Sequence, residues 1–275
     1  MRHSHYLIGV DSDGTAFDSM NLKHISAFIP AAIEVWNMKG EMAEWFIQIE
    51  KEVNLFSSLR GINRFPGLLE VFVRLDKQFP QVREMLSLDA FQAYIEGNEK
   101  YAPATLKAWR EKHPSQTLKQ IQMWSERADQ LFEKACEGIQ PFPGVREALT
   151  KASQKAAVAV VSSAAKAGLQ KDWEAAGLLT SVEWLMSQED GSKTAQLQKA
   201  MMYCEAPVHA LMLGDTQSDG DAAYAAGARF YPILPGEETA SWHYFESTVL
   251  PAFLEDRYTV EEEEKLTDRL RTMLS

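Results

Sequence analysis

"LIGVDSDGTAFDSM", residues 7–20, runs from an unbroken apolar stretch straight into two carboxylates one residue apart, Asp11 and Asp13, with Gly14 and Thr15 behind them. Asp and Gly are ordinary turn residues, so the end of a strand would account for them locally. The surrounding chain decides between that reading and a chemical one. Three more short, nearly all-apolar runs lie at residues 156–161, 210–213 and 229–234, with a minor one at 182–186. Such runs suit strands buried on both faces of a parallel sheet. Helical segments separate the later runs: "GVREALTKASQKA", "AGLQKDWEAAGL", "KTAQLQKAMMYCE" and "SDGDAAYAAGA". The alternation predicts βαβ units and a doubly wound, Rossmann-like α/β core.

About 120 residues of different character follow the first strand, too many for a loop without structure of its own. "HISAFIPAAIEVWNMKGEMAEWFIQIEKEVNLF", "GLLEVFVRLDKQF" and "LKQIQMWSERADQLFEKA" repeat apolar residues at helical spacing without a comparable strand signal. The expected organisation is therefore a core of residues 1–18 and 141–275, interrupted by an all-helical unit of residues 19–140. "GIQPFPGV", residues 138–145, supplies the Gly/Pro-rich return. At the far end Thr259 and Glu262 form a capping-box pattern ahead of a terminal helix.

A chain of 275 residues with a net charge of −11 has material for a large core and little attraction for nucleic acid or an anionic membrane surface. An anionic substrate would need a local positive exception. No apolar run approaches the roughly 20 residues of a membrane span, and the first ten residues lack a signal-peptide pattern. Two distant cysteines, Cys136 and Cys204, fit a reducing compartment, so a cytoplasmic location is expected. His3 and His5 form a His-x-His pair, read as a frayed terminus rather than a metal site.

In an open parallel sheet, functional groups collect at the carboxyl ends of the strands. Those ends carry Asp11 and Asp13, then Ser162 and Ser163, then Asp215 with Asp219 four residues on. Lys193 precedes the helix that feeds the third major strand. Four distant segments thus deliver carboxylates, a hydroxyl and an ammonium to one edge.

In these residues the chain resembles the haloacid dehalogenase-like hydrolases. "DSDGT" is similar to that family's DxDGT motif, "AVVSS" to its strand-plus-Ser/Thr motif, Lys193 to its lysine, and "LMLGDTQSDGDAAYAAGA" to its GDxxxD segment. The resemblance implies a Mg²⁺-dependent phosphatase acting on a small phosphorylated metabolite. Asp11 would be the nucleophile, forming an aspartyl-phosphate. Asp13 would serve as general acid and then general base. Asp11, the carbonyl of Asp13, Asp215 and Asp219 would hold the metal. Ser162, with Ser163 as the alternative, and Lys193 would grip phosphoryl oxygens, helped by Gly14 and Thr15. Asp221 reads as a first-turn helix residue and Asp18 as structural. Ala16 and Thr194 depart from the family pattern, where a bulky aliphatic residue and a proline are usual; neither change removes a reactive group. The helical insertion matches a cap in position and character, and its candidates for substrate contact are Arg60, Arg64 and Lys23, with His24 nearby. A phosphomutase of the beta-phosphoglucomutase type and a non-catalytic phosphate-binding protein are the rival readings. Oligomeric state and substrate identity are open at this level.

Overall fold

The computed structural model describes residues 4–206 and 208–275; His3, one half of the His-x-His pair, lies outside them. The chain divides into two compact units, one formed by the chain up to Ser19 together with Gly138–Ser275, the other by Met20–Glu137.

The first unit is built on five parallel strands: β1 (Tyr6–Val10), β2 (Ala157–Val161), β3 (Trp184–Met186), β4 (His209–Gly214) and β5 (Arg229–Pro232). They lie in the order β3-β2-β1-β4-β5. Alternate residues of each strand feed two separate cores, which is why the runs read as continuously apolar. Ile8, Val10, Val158 and Val160 face one core with Trp173 and Trp242. Leu7, Ala157, Ala159 and Met212 face the other with Leu197 and Phe230. Helices Val145–Ala152, Lys166–Ala175, Lys193–Met202 and Gln217–Ala226 alternate with the strands. The chain runs from β1 outward through β2 to β3 and returns to β4 on the other side of β1, so the strand order reverses at β1, the kind of switch point where open α/β sheets bind ligands.

The terminal helix, Val260–Met273, starts as its sequence predicts: Glu262 N donates to Thr259 Oγ1, and Thr259 N donates to Glu262 Oε2. A helical stretch absent from the sequence reading runs from Glu238–Tyr244 through a π-turn at Phe245–Val249 to Leu250–Leu254. The π-turn displaces the apolar positions from a 3.6-residue period, which hides the stretch from a periodicity search.

The second unit is helical throughout its described residues, as its periodicity predicts. Helices Gly40–Leu55, Arg64–Asp76 and Gln116–Ala135 enclose an aromatic core of Trp36, Phe46, Phe65, Phe72, Phe91 and Trp124. Its first helices are interrupted by a π-turn at His24–Phe28, whose Phe28 carbonyl accepts from Trp124 Nε1 at 3.1 Å. Among the described residues no helix is long and apolar enough to cross a membrane. Cys136 and Cys204 are free thiols.

Candidate active site

The β1 ladder continues one residue past the strand, where Asp11 N donates to Leu213 O at 3.0 Å. The chain then turns sharply. Gly14 adopts a φ of 76°, a conformation that an L side chain would strain, and Ala16 N and Phe17 N both return to Ser12 O. The turn is fastened from three directions. Trp242 Nε1 donates to Thr15 O at 2.8 Å, Trp173 Nε1 donates to Ser12 Oγ at 3.0 Å, and Phe142 N donates to Ala16 O at 2.9 Å. The "QPFPGV" return thus serves as a brace for the motif loop.

Asp11 is buried, and the ammonium of Lys193 lies 2.9 Å from its Oδ1. The same ammonium donates to Asp219 Oδ1 at 2.5 Å. Asp219 uses its other oxygen as the cap of its own helix, accepting from Thr216 N and Thr216 Oγ1. Gly214 is required for this closeness, because a Cβ there would lie 2.3 Å from the Cβ of Asp219. Asp215, fully buried, accepts from Thr15 Oγ1 at 3.0 Å.

The electrostatics follow from burial. Removal from water pushes the Asp11 carboxyl well above the ordinary carboxylate range; Lys193 opposes the rise, and Asp219 and Asp215 add to it. Burial pulls the Lys193 ammonium down, but Asp11 and Asp219 more than reverse this and hold it above the ordinary lysine value. Three buried carboxylates thus cluster here, two of them, Asp11 and Asp219, on the partly buried Lys193 ammonium, so negative charge is concentrated in a poorly hydrated place. Ligand oxygens of Asp11, Asp215 and Asp219 lie within 4.8 Å of one another. An all-oxygen set with surplus negative charge fits a hard divalent cation such as Mg²⁺.

Ser162 is buried at the tip of β2, where its Oγ accepts from Ala164 N at 3.1 Å and keeps its proton for a further acceptor. Ser163 is exposed. Asp13 is partly exposed, and Ser19 Oγ donates to its Oδ1 at 2.5 Å. Asp221 accepts from Gln217 Nε2 on its own helix, away from the acidic group. Trp173 and Trp242 escape a reading of the sequence because each acts by one hydrogen bond to a residue far away along the chain, and Ser19 because a serine six residues past Asp13 carries no signal of its own.

In the helical unit, Arg60 is buried and donates to Leu55 O at 2.9 Å, closing the loop between two helices. Arg64 pairs with Asp129 at 2.5 Å and lies over the Phe28 ring. The Lys23 ammonium sits 5.4 Å from the centre of the Phe132 ring. His24 is buried, its Nδ1 2.6 Å from Glu50 Oε1. Both arginines thus use donors within their own unit, which the sequence alone does not disclose.

Residues 62–233, more than half of the chain, match the family model for haloacid dehalogenase-like hydrolases. The chain belongs to this family. The matched span includes Ser162, Lys193, Asp215 and Asp219; Asp11 and Asp13 precede it. Among solved structures, the haloacid dehalogenase-like hydrolase is similar to a family member from Streptococcus pneumoniae at 13% identity and a TM-score of 0.51, covering 86% of this chain and 90% of that one. It is also similar to a protein provisionally named beta-phosphoglucomutase from Thermotoga maritima, at 15% identity and a TM-score of 0.50, with 86% and 97% covered. A third, provisionally named a phosphatase, from Clostridium difficile, has 13% identity and a TM-score of 0.50, with 84% and 85% covered. At such identities the likeness is one of fold. No curated protein matches the sequence significantly. The chain is accordingly an enzyme of the haloacid dehalogenase-like hydrolase type.

Proposed function

We propose that the enzyme is a Mg²⁺-dependent phosphatase that hydrolyses a small phosphorylated metabolite through an aspartyl-phosphate on Asp11. The observation that carries this reading is the Asp11 carboxylate at the carboxyl end of β1, 2.9 Å from the Lys193 ammonium. A carboxylate beside a fixed cation is suited to attack an anionic phosphorus centre, because the cation offsets the repulsion between the two.

In the first step an Asp11 oxygen forms a bond to phosphorus as the phosphorus–ester oxygen bond breaks, and Asp13 gives its proton to the departing oxygen. In the second, Asp13 takes a proton from water, whose oxygen bonds to phosphorus and releases inorganic phosphate and the free Asp11 carboxylate. Ser162 Oγ and Lys193 Nζ hold the phosphoryl oxygens. Ser163, being exposed, is the weaker candidate for that role. Thr15, whose hydroxyl is given to Asp215, acts through that carboxylate, and Gly14 supplies the turn that aims the nearby amides. Ser19 orients Asp13.

Asp11, Asp215 and the carbonyl of Asp13 would hold Mg²⁺, which screens charge between nucleophile and substrate when bound. Asp219, with one oxygen on Lys193 and the other on Thr216, is assigned chiefly to fastening the lysine. Residues 1–18 and 141–275 form the catalytic unit in this reading, and residues 19–140 a cap that chooses the substrate. Lys23 is the cap residue proposed for that choice, and Arg60 and Arg64 act through the loop and helices they tie. The two free cysteines support a cytoplasmic setting.

The test is phosphate release from an aryl phosphate with Mg²⁺, with EDTA, and in Asp11→Asn. Turnover is expected only in the first case. Activity that persists with EDTA or in the variant refutes the mechanism, and isomerisation of a sugar phosphate without phosphate release identifies a mutase.

A further inference from the structure

Gln196 lies three residues beyond Lys193 on the helix Lys193–Met202, so the two share a helix face. It is completely buried, an unusual place for a primary amide. Its Oε1 accepts from Ser162 N at 2.9 Å, while its Nε2 donates to Ser162 O at 2.9 Å, to Ser187 O at 2.7 Å and to Gly191 O at 2.9 Å. Three carbonyls around one nitrogen leave no doubt which end of the amide is the donor. Two N–H groups serve three acceptors, so one hydrogen is shared.

The position of these bonds explains their use. The β2–β3 ladder ends at the pair Val161 and Met186. The next residues along are Ser162 and Ser187, but Ser187 turns away as the cap of the short turn Gln188–Asp190. Ser162 would then keep a buried N–H and a buried C=O with no neighbouring strand to pair them, a costly state. The Gln196 amide bonds both of them, as the backbone of another strand would, and takes the Ser187 carbonyl as well. Its fourth bond goes to Gly191, two residues ahead of Lys193 in the loop that starts the lysine's helix. One side chain therefore joins the tip of β2, the tip of β3 and the loop that delivers Lys193.

We propose that Gln196 is a positioning residue for phosphate recognition: it adds a side-chain rung to the sheet that holds Ser162 at a fixed distance from Lys193. This rests on the reading of Ser162 and Lys193 as the groups that grip the phosphoryl oxygens. A phosphoryl group held from both sides needs that spacing kept, since displacing a positioning group by an ångström weakens binding and rate together. A residue that merely fills space has no such requirement; methionine, similar in length and volume, would fill the same space and make none of the four bonds.

The experiment compares wild type, Gln196→Met, Gln196→Glu and Leu270→Ala, the last a fully buried residue of the terminal helix that destabilises the same core away from the site. Each is assayed with Mg²⁺ well below its own melting temperature, for binding of inorganic phosphate by calorimetry and for kcat and KM on an aryl phosphate. Gln196→Met is expected to raise the phosphate Kd and the KM at least tenfold, with Leu270→Ala within twofold of wild type in both. Gln196→Glu keeps the acceptor for Ser162 N and loses the donors to three carbonyls, so it should fall in the same direction and serves where the methionine variant does not fold. A folded Gln196 variant that melts lower yet keeps both constants within twofold overturns the proposal. A wild type that neither binds phosphate nor releases it overturns the phosphatase reading itself, and the proposal with it.

Discussion

Replacing Lys193 by methionine tests the electrostatic core of the site without reference to substrate. The ammonium lies 2.9 Å from Asp11 and 2.5 Å from Asp219. At an effective dielectric constant of about 20, each contact amounts to about 6 kcal/mol of gross attraction. Most of that offsets the desolvation of the charges, so the net value of the cluster is far smaller. Removing one member of a buried pair is another matter, because the carboxylates remain buried without their cation; the expected loss is about 3–5 kcal/mol. For a domain of this size that corresponds to a fall in Tm of roughly 6–20 °C. Adding Asp219→Asn to Lys193→Met removes one stranded charge and should restore about 2 kcal/mol, although Asp219→Asn alone is destabilising. The assay is urea unfolding of the four proteins in metal-free buffer at pH 7, followed by far-UV circular dichroism. A loss below about 1 kcal/mol in Lys193→Met, or strict additivity in the double variant, would refute the idea that the lysine holds the carboxylates in place.

Ser19→Ala removes a hydrogen-bond donor to Asp13 and is expected to lower kcat on an aryl phosphate by about 10- to 100-fold, the value of one hydrogen bond to a charged group, with KM nearly unchanged. The Tyr94 hydroxyl is buried, lacks a hydrogen-bond partner among the described residues, and is pushed up to about 12 in pKa by burial. Tyr94→Phe should therefore leave urea stability unchanged or raise it by up to about 1 kcal/mol, and a loss would reveal a partner for that oxygen. The Lys199 ammonium holds the Asp190 carboxyl below its usual range. A carboxyl depressed in the folded state contributes stability above its unfolded pKa of about 3.9 and loses it as pH falls through the folded value. Lys199→Ala should accordingly melt lower than wild type at pH 7 and match it at pH 2, and an equal difference at both pH values would exclude the ion pair as the cause.

The sheet edge that carries the candidate residues can be located from the sequence because its signals are local. An apolar run marks each strand; Asp11 and Ser162 follow such runs directly and Asp215 follows one after Gly214, so each candidate is found at a strand end. Lys193 needs the family register as well, since nothing local separates it from a surface lysine. Gln196 is beyond such a reading: its four bonds go to three residues in separate segments, and a glutamine on an amphipathic helix looks like a solvent-facing residue. Arg60 and Arg64 show a different limit. Two arginines around a glycine in an acidic chain suggest open anion-binding donors, but the Leu55 carbonyl and Asp129 take up donors from them. Only the folded unit brings those acceptors near.

The crowding of Asp11 and Asp13 also acquires a physical sense. Asp11 is drawn inward by the continued β1 ladder, while Asp13, past the Ser12 anchor, stays partly exposed beside Ser19. The two carboxylates therefore occupy different environments although one residue separates them, and different environments are what allow two like groups to take different roles. The inward group sits with Asp215, Asp219 and one ammonium, an arrangement with more negative charge than the folded chain alone would favour. If the proposed Mg²⁺ is held by Asp11 and Asp215, it would offset part of that charge, so adding Mg²⁺ is expected to raise Tm, and a Tm unchanged by Mg²⁺ would count against the proposed metal site.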